Sequence, residues 1–575
     1  GQEAKLMTDT LSLVIRGGLV VDGTGAEPFE ADVGITGARI VAVGRIAGRG
    51  EHEIDARGLL VTPGFVDPHT HYDAQVMWAN HLTPSSSNGV TTALIGNCGV
   101  GFAPCKPEQR EMLVRLMEGV EDIPEPVLTQ GLPWDWQSFP DYLDRLEARR
   151  FDMDVATQVP HAALRVFVMG ERGAAREPAT EADRTAMARL AAQGIRAGAL
   201  GFSTSRTLNH KSVDGQPTPT LDAAEDELTA IARAIGATGA GWLQVISDFG
   251  ETIEPEFAML RRLVAESGRP MTMTVLERDS KPQEWRQLLG LIADANADGQ
   301  AMSGMVLTRP TGIMLGFEIS QNPFVDCPSY ADVAKLPFPA RIAALRDPSL
   351  RARLLSENAA DPRMGNRLRR WDRIFPLGDP ADYEPTPDRS IGAEARRTGA
   401  DPAALAYDRL LENDGRTILY RPLSNYAHGT LETVREMMAH PNTLIGLGDG
   451  GAHVSILCDA SAMTYGLTHW TRDRATGRFP VEWMVRRLTR DNAWAMGLRD
   501  RGVIAPGLKA DLNVIDHARL TLRAPHVVYD LPAGGRRLMQ RAEGYVATVL
   551  SGQIVSRDGV STGQLPGRLL RGGRM

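Results

Sequence analysis

The sequence predicts an α/β fold: a (β/α)8 TIM-like barrel with a small β-sandwich domain built from both chain ends. Three observations predict it. Near the start "LSLVIRGGLVVDG" and "ADVGITGARIVAVG", and near the end "ADLNVID" and "VATVLSGQIVSRDG", are β-branched runs broken by glycine and aspartate, as in hairpins. Between them, short apolar runs alternate with helical patterns, the rhythm of βαβ units around a parallel sheet. Eight such runs occur, at 61–67, 91–96, 153–159, 198–203, 241–246, 270–276, 303–308 and 443–448, the number a closed barrel needs.

Taken in chain order, residues 7–60 supply the first half of the β domain and 505–575 the second, while 61–504 carry the barrel. The clearest barrel helix is "LDAAEDELTAIARAIGATG". It spaces Leu228, Ile231, Ala232 and Ile235 along one face and ends on glycine. Between the seventh and eighth strands, at about 315–415, lies a stretch rich in Pro, Arg and Asp that far exceeds an ordinary βα connection. It reads as an insertion over the barrel mouth or as a partner-binding arm. A lid is the role expected of it, because barrel enzymes carry such loops at the catalytic face.

Composition narrows the function classes. The chain has 575 residues, 43% hydrophobic and 23% charged, with a net charge of −8. No basic run interleaves with aromatics, so nucleic acid is not an expected partner. No apolar stretch approaches the roughly 20 residues of a membrane span. The opening "GQEAKLMTDT" lacks a signal-peptide core, and Met7 reads as the native start. Four cysteines without a CxxC pair point to a reducing, cytoplasmic setting.

The chemistry-bearing residues sit at expected strand ends. In "GFVDPHTHYDAQ", His69 and His71 flank Thr70, and residues two apart on a strand share a side, so both imidazoles can face one ion. An isolated pair of this kind also fits satisfied core histidines; its place at the end of the first barrel strand favours the metal. Cys98, in "ALIGNCGVGFAP", reads as a small buried side chain or as a thiolate ligand, and the flanking glycines favour a close approach to a site. Asp449, in "TLIGLGDGGAH", caps a turn or ligates an ion and takes a proton from acidified water. His453 reads equally as ligand, substrate contact or surface histidine.

"TPGFVDPHTHYDA", "GVTTALIGNCGVGFAP" and "IGLGDGGAH" resemble the metal-dependent amidohydrolase superfamily in its D-aminoacylase (N-acyl-D-amino-acid deacylase) branch. "WDWQSFPDYLDRLEARR", "PHAALRVFVMG", "GALGFSTSR" and "RGVIAPGLKADLNVID" fit the branch in order, so the resemblance spans most of the chain outside 315–415. It implies a distorted barrel, a composite β domain and hydrolysis of an amide C–N bond by metal-activated water. It also implies that His69 and His71 are first-strand ligands. Cys98 matches the cysteine that replaces a bridging carbamylated lysine in this branch, and Asp449 the aspartate that is both ligand and general acid/base.

Two departures shape the expectation. The branch carries histidines for a second metal on strands five and six, but here these read "GWLQVISDFG" and "RPMTMTVLERD", with Asp248 and Glu277 the nearby carboxylates. One Zn2+ per chain at His69, His71, Cys98 and Asp449 is therefore expected, with the second site lost. The arginine that grips a substrate carboxylate in family deacylases is also missing from "HVSILCDASAMTYG", which carries Asp459 instead. Arg206 and Arg309 are candidate replacements, and His161, Asn425 and His428 weaker substrate-contact candidates. The expected enzyme is an amidohydrolase acting on an N-acyl (D-)amino acid or related N-acyl amide. A cyclic or peptide-like amide, and a non-catalytic degenerate scaffold, are the alternatives. The expected partner is a small-molecule amide, and a homo-oligomer is compatible with the sequence.

Overall fold

The structure is a computed structural model that describes residues 10–572. Residues 7–9, with Met7, and 573–575 of the expected β domain lie outside the described residues. Eight barrel strands are present: β1 (Phe65–Asp67), β2 (Val90–Leu94), β3, β4 (Gly201–Arg206), β5 (Trp242–Ser247), β6 (Met271–Thr274), β7 (Met302–Val306) and β8 (Thr443–Ile445). Strand β3 is broken in two: Asp154–Ala156 pairs with β2 and Gln158–Pro160 pairs with β4. All barrel pairings are parallel.

The barrel is distorted at two places. At the break in β3 the C-terminal tail intervenes, with Val155 N donating to Arg568 O at 3.0 Å and Leu570 N to Val155 O at 2.7 Å. Between β1 and β8 no ladder forms among the described residues. There the buried Asn492 donates through Nδ2 to Val66 O at 2.9 Å and to Ile445 O at 2.8 Å, so one side-chain amide bridges the seam.

The strand boundaries shift by a few residues along the barrel, and at two of them the backbone gives the reason. The run at 61–67 splits at Gly64: Leu60–Pro63 joins the β domain and Phe65–Asp67 the barrel. A Cβ on Gly64 would stand 2.0 Å from Thr91 Oγ1, so only glycine passes between the two sheets. The last strand ends at Ile445 rather than 448, because Leu447 and Asp449 adopt left-handed φ of 62° and 48°. The expected helix forms as Glu225–Ala237, with Leu228, Ile231, Ala232 and Ile235 buried on its inner face.

Both chain ends share one nine-stranded sheet. Leu60–Pro63 pairs parallel with Leu11–Val20 and antiparallel with Leu512–Ile515. Leu11–Val20 bends in its middle, pairing with Gly50–Asp55 through its first half and with Leu60–Pro63 through its second. The bent sheet wraps a core that includes Ile15, Val33, Leu512, Val514 and Val549. The hairpin of His526–Leu531 and Gly535–Met539 leaves this sheet and docks on the loop after β8, where Leu538 N donates to Val454 O at 2.6 Å.

The segment at 315–415 is a folded unit rather than an irregular arm. Thr311–Leu315, Phe375–Pro376 and Leu419–Ser424 form an antiparallel sheet. Helices such as Phe338–Leu345 and Pro402–Gly415 pack on it around Phe317, Phe324, Tyr407 and Leu410, an apolar core separate from that of the barrel. No helix among the described residues is long and apolar enough to cross a membrane.

Candidate metal centre

The His-Thr-His segment leaves β1 with its backbone tied on both sides. Thr70 N and Oγ1 donate to Leu94 O on β2, at 3.0 and 2.9 Å. The histidine backbones face the other way, toward the β8 loop: Asp449 N donates to His69 O at 3.1 Å and His71 N to Gly450 O at 2.8 Å. The two rings share one side, 5.2 Å apart between centroids and nearly perpendicular at 80°.

Cys98 lies in a left-handed turn, at φ 59°, between Gly96 and Gly99. A Cβ on Gly96 would stand 2.5 Å from Gln158 O, so glycine is required for the turn to approach the barrel wall. Cys98 N donates to Gln244 Oε1 at 2.8 Å and Gly99 N to Ser203 Oγ at 2.8 Å, fixing the thiol over β4 and β5.

These elements bring the expected residues together. The donor atoms of His69, His71 and Cys98 lie within 4.8 Å of one another, all three buried. His69 Nε2 is 3.5 Å from Cys98 Sγ and 3.4 Å from Asp449 Oδ1, which is itself 3.3 Å from His71 Nε2. Asp449 Oδ1 is buried without a hydrogen-bond partner. An orphaned carboxylate oxygen beside two imidazoles and a thiol is costly unless a cation sits among them.

The electrostatics agree with that fit. Burial would raise the Asp449 carboxyl, but the close His71 imidazole and the charges of His69 and His453 hold it at about 2. Burial lowers His69 to about 4 and pushes the Cys98 thiol up to about 11, so a thiolate there depends on a cation close by.

Three further side chains belong to the centre and were not read from the sequence. Glu121, the last residue of the helix Arg110–Glu121, is 2% exposed, with Oε1 3.2 Å from His71 Nδ1 and Oε2 3.5 Å from His453 Nε2. Asp67 accepts from His69 N at 3.0 Å, and burial lifts its carboxyl to about 7. His210, in the loop after β4, is bonded through Nδ1 to Ser205 Oγ at 2.7 Å. Its loop packs on Gly119 of the same helix, where a Cβ would stand 2.2 Å from Lys211 O. Burial, with the charges of His71 and His453, lowers His210 to about 3.

The remaining sequence candidates divide. His453, at left-handed φ 50°, stands beside the centre with Nδ1 2.6 Å from Asp122 Oδ2; burial opposes its proton, but Asp122 and Glu121 raise it to about 9. The others are committed elsewhere. His161 is fully buried, its ring nitrogens 2.7 Å from Thr204 Oγ1 and from Glu227 Oε2. Arg206 donates to Glu256 and to Ala223 O. Arg309 is fully buried and donates to Ser461 Oγ, Cys458 O and Asp459 Oδ1 while stacking 3.8 Å above the Tyr383 ring. Neither arginine is free to grip a substrate carboxylate. Asn425 exchanges hydrogen bonds with the Glu277 backbone, each 2.9 Å, as a turn-forming residue does. His428 is 62% exposed, 3.8 Å from Glu277 Oε2.

The fifth and sixth strands offer neutral groups instead of histidines. Gln244 Nε2, Thr272 Oγ1 and Thr274 Oγ1 are buried without partners. Asp248 accepts from Thr207 Oγ1 at 2.7 Å and Leu208 N at 2.8 Å, and Glu277 accepts from Ala427 N at 3.0 Å and Thr433 Oγ1 at 2.7 Å. Both carboxylates are thus engaged by loops rather than by the centre.

The chain and its fold are similar to known proteins. The sequence profile of the Amidohydrolase family matches residues 52–556. D-aminoacylase of Alcaligenes xylosoxydans xylosoxydans is 27% identical over 563 residues, 97% of this chain and 97% of its own length. A crystal structure of D-aminoacylase superposes with a TM-score of 0.66 at 25% identity, covering 98% of this chain and 100% of that one. N-acyl-D-glutamate deacylase from Bordetella bronchiseptica, solved with zinc and a phosphonate inhibitor, shares the fold at a TM-score of 0.63 and 24% identity, again over 98% and 100%.

Proposed function

The chain belongs to the Amidohydrolase family, metal-dependent hydrolases of carbon–nitrogen bonds, and on that premise we propose that it cleaves an N-acyl (D-)amino acid or a related N-acyl amide. One observation carries the reading: two imidazoles, a thiol and an orphaned carboxylate oxygen converge at the ends of β1, β2 and β8. His69, His71, Cys98 and Asp449 would hold one divalent ion, and this donor set suits zinc. An ion in that place supplies Lewis acidity to the scissile carbonyl and to water.

The protein's own groups do the rest. Asp449, ionised at neutral pH, accepts the proton of the attacking water on Oδ2 and returns it to the leaving nitrogen, first as general base and then as general acid. Glu121 Oε1, 3.2 Å behind His71 Nδ1, favours the ring direction in which Nε2 faces the centre. His210, with Nδ1 anchored by Ser205, presents Nε2 to the substrate from the β4 side.

The surroundings favour a leaving group without a free carboxylate. Asp459 is matched by Arg309, Arg537 beside the β8 loop is bonded to Asp530 and Thr83 O, and Glu121, Asp122 and His453 flank the ligands. An amidated, neutral or cationic leaving amine suits that lining better than an anion. The strand that leads into the inserted unit is tied to the β8 loop, Met314 N donating to Ile456 O at 2.8 Å.

Metal analysis of the purified chain, followed by a substrate panel, tests the reading. One zinc per chain and release of a primary amine from N-acyl-D substrates, faster from amides than from free acids, is the expected result. Turnover confined to cyclic amides would shift the substrate class on the same centre. Less than about 0.1 ion per chain, with no turnover after zinc addition, would overturn it.

A further inference from the structure

A second concentration of charge lies in the inserted unit and takes no part in the centre described above. A cavity of about 1080 Å³ is lined by Arg363, Arg367, Arg369, Arg370 and Arg421, with no acidic residue of the described chain in its wall. The chain as a whole is acidic, with a net charge of −8, so five guanidiniums in one concavity, of which only Arg363 and Arg370 pair with an acid among the described residues, Asp361 and Asp279, are a local inversion.

Arg421 is the decisive member. It is only 5% exposed, on Leu419–Ser424, and it donates to the main-chain oxygens of Arg367 and Pro422 rather than to a carboxylate. Burial and the charges of Arg373, Arg370 and Arg367 push it down to about 10, against a single opposing acid, Asp279. That acid is already shared, 3.2 Å from Arg373 and 3.6 Å from Arg370. A buried guanidinium amid like charges, with no carboxylate of its own, is an unfavourable arrangement that a bound anion relieves. Forked guanidinium donors match planar carboxylates and tetrahedral oxyanions alike.

We propose that the arginine-lined cavity of the inserted unit is a binding site for a small oxyanion carrying at least two negative charges. This site is independent of the metal-centre reading. The positive wall and the buried Arg421 at its base select for charge and for oxygen acceptors, and exclude cations.

Isothermal titration of the intact protein with sulfate, a tetrahedral dianion, and with succinate, a dicarboxylate, tests this without stripping a metal. Sodium chloride at matched ionic strength is the reference. Saturable binding of one or both dianions is expected, and the dianion preferred identifies the ligand chemistry. Arg421→Gln should weaken it at least tenfold, and the exposed pair Arg367→Gln/Arg370→Gln should do so even if the buried variant fails to fold. Binding no stronger than chloride screening, or undiminished affinity in the folded variants, would overturn the proposal.

Discussion

Glu121 Oε1 stands 3.2 Å from His71 Nδ1, two side chains each only 2% exposed. A buried carboxylate behind an imidazole fixes its tautomer and its direction, leaving Nε2 toward Asp449. Glu121→Gln keeps the shape and removes the charge. Its metal affinity should fall by about 10- to 100-fold with secondary structure intact. Competition against a chromophoric chelator measures this, and an unchanged affinity would remove Glu121 from its orienting role.

Asp449→Asn separates proton transfer from folding. The substitution preserves the left-handed loop, which asparagine tolerates at φ 48°, while removing the base. A loss of at least about 100-fold in kcat is expected, with the circular dichroism spectrum unchanged. A near-normal rate would show that the proton moves through another group.

His210→Ala tests the β4 side of the site. Because Ser205 rather than an ion holds its ring, metal content should remain at the wild-type value while kcat/KM falls by about 10-fold or more. Equal loss of metal and activity would make it a ligand instead.

Acid stability has a separate anchor in Glu384, which joins the inserted unit to the barrel. Its carboxylate accepts from His469 Nε2 at 2.7 Å, Arg474 Nε at 2.9 Å and Leu431 N at 2.7 Å. Burial opposes its charge, but these donors hold it at about 2. The folded value lies below the unfolded one of about 4.3, so the stabilisation is complete above about pH 5 and is lost as pH falls toward 2. Glu384→Gln should be less stable than wild type by up to about 3 kcal/mol at pH 7. Denaturant titrations should show that gap closing as pH falls; a gap independent of pH would refute this.

The legible parts of the site were those where local pattern and chemistry coincide. His69, His71, Cys98 and Asp449 sit at strand ends among glycines, and the apolar runs supplied all eight barrel strands. Glu121 was invisible because an acid in the last turn of an amphipathic helix looks like any solvated residue. His210 lies in a loop without periodicity, and only folding packs that loop on helical Gly119 and turns the ring onto Ser205. Arg309 shows the opposite failure. A charged residue near a strand end suggested substrate binding, whereas its partner Asp459, a second departure in the same sequence, neutralises it. The break at Gly64 was hidden because both halves of 61–67 are apolar, and a change of sheet leaves no mark on hydrophobicity.

The shared sheet also sets an order of events during synthesis. Leu60–Pro63 emerges from the ribosome early, yet its antiparallel partner Leu512–Ile515 follows some 450 residues later. At about 5–20 residues per second, that edge waits roughly 20 to 90 seconds for its neighbour. Throughout this interval an apolar strand edge lies open to pairing with other nascent chains. Yield in a cell should therefore respond to translation speed and chaperone supply more sharply than the stability of the finished fold would suggest.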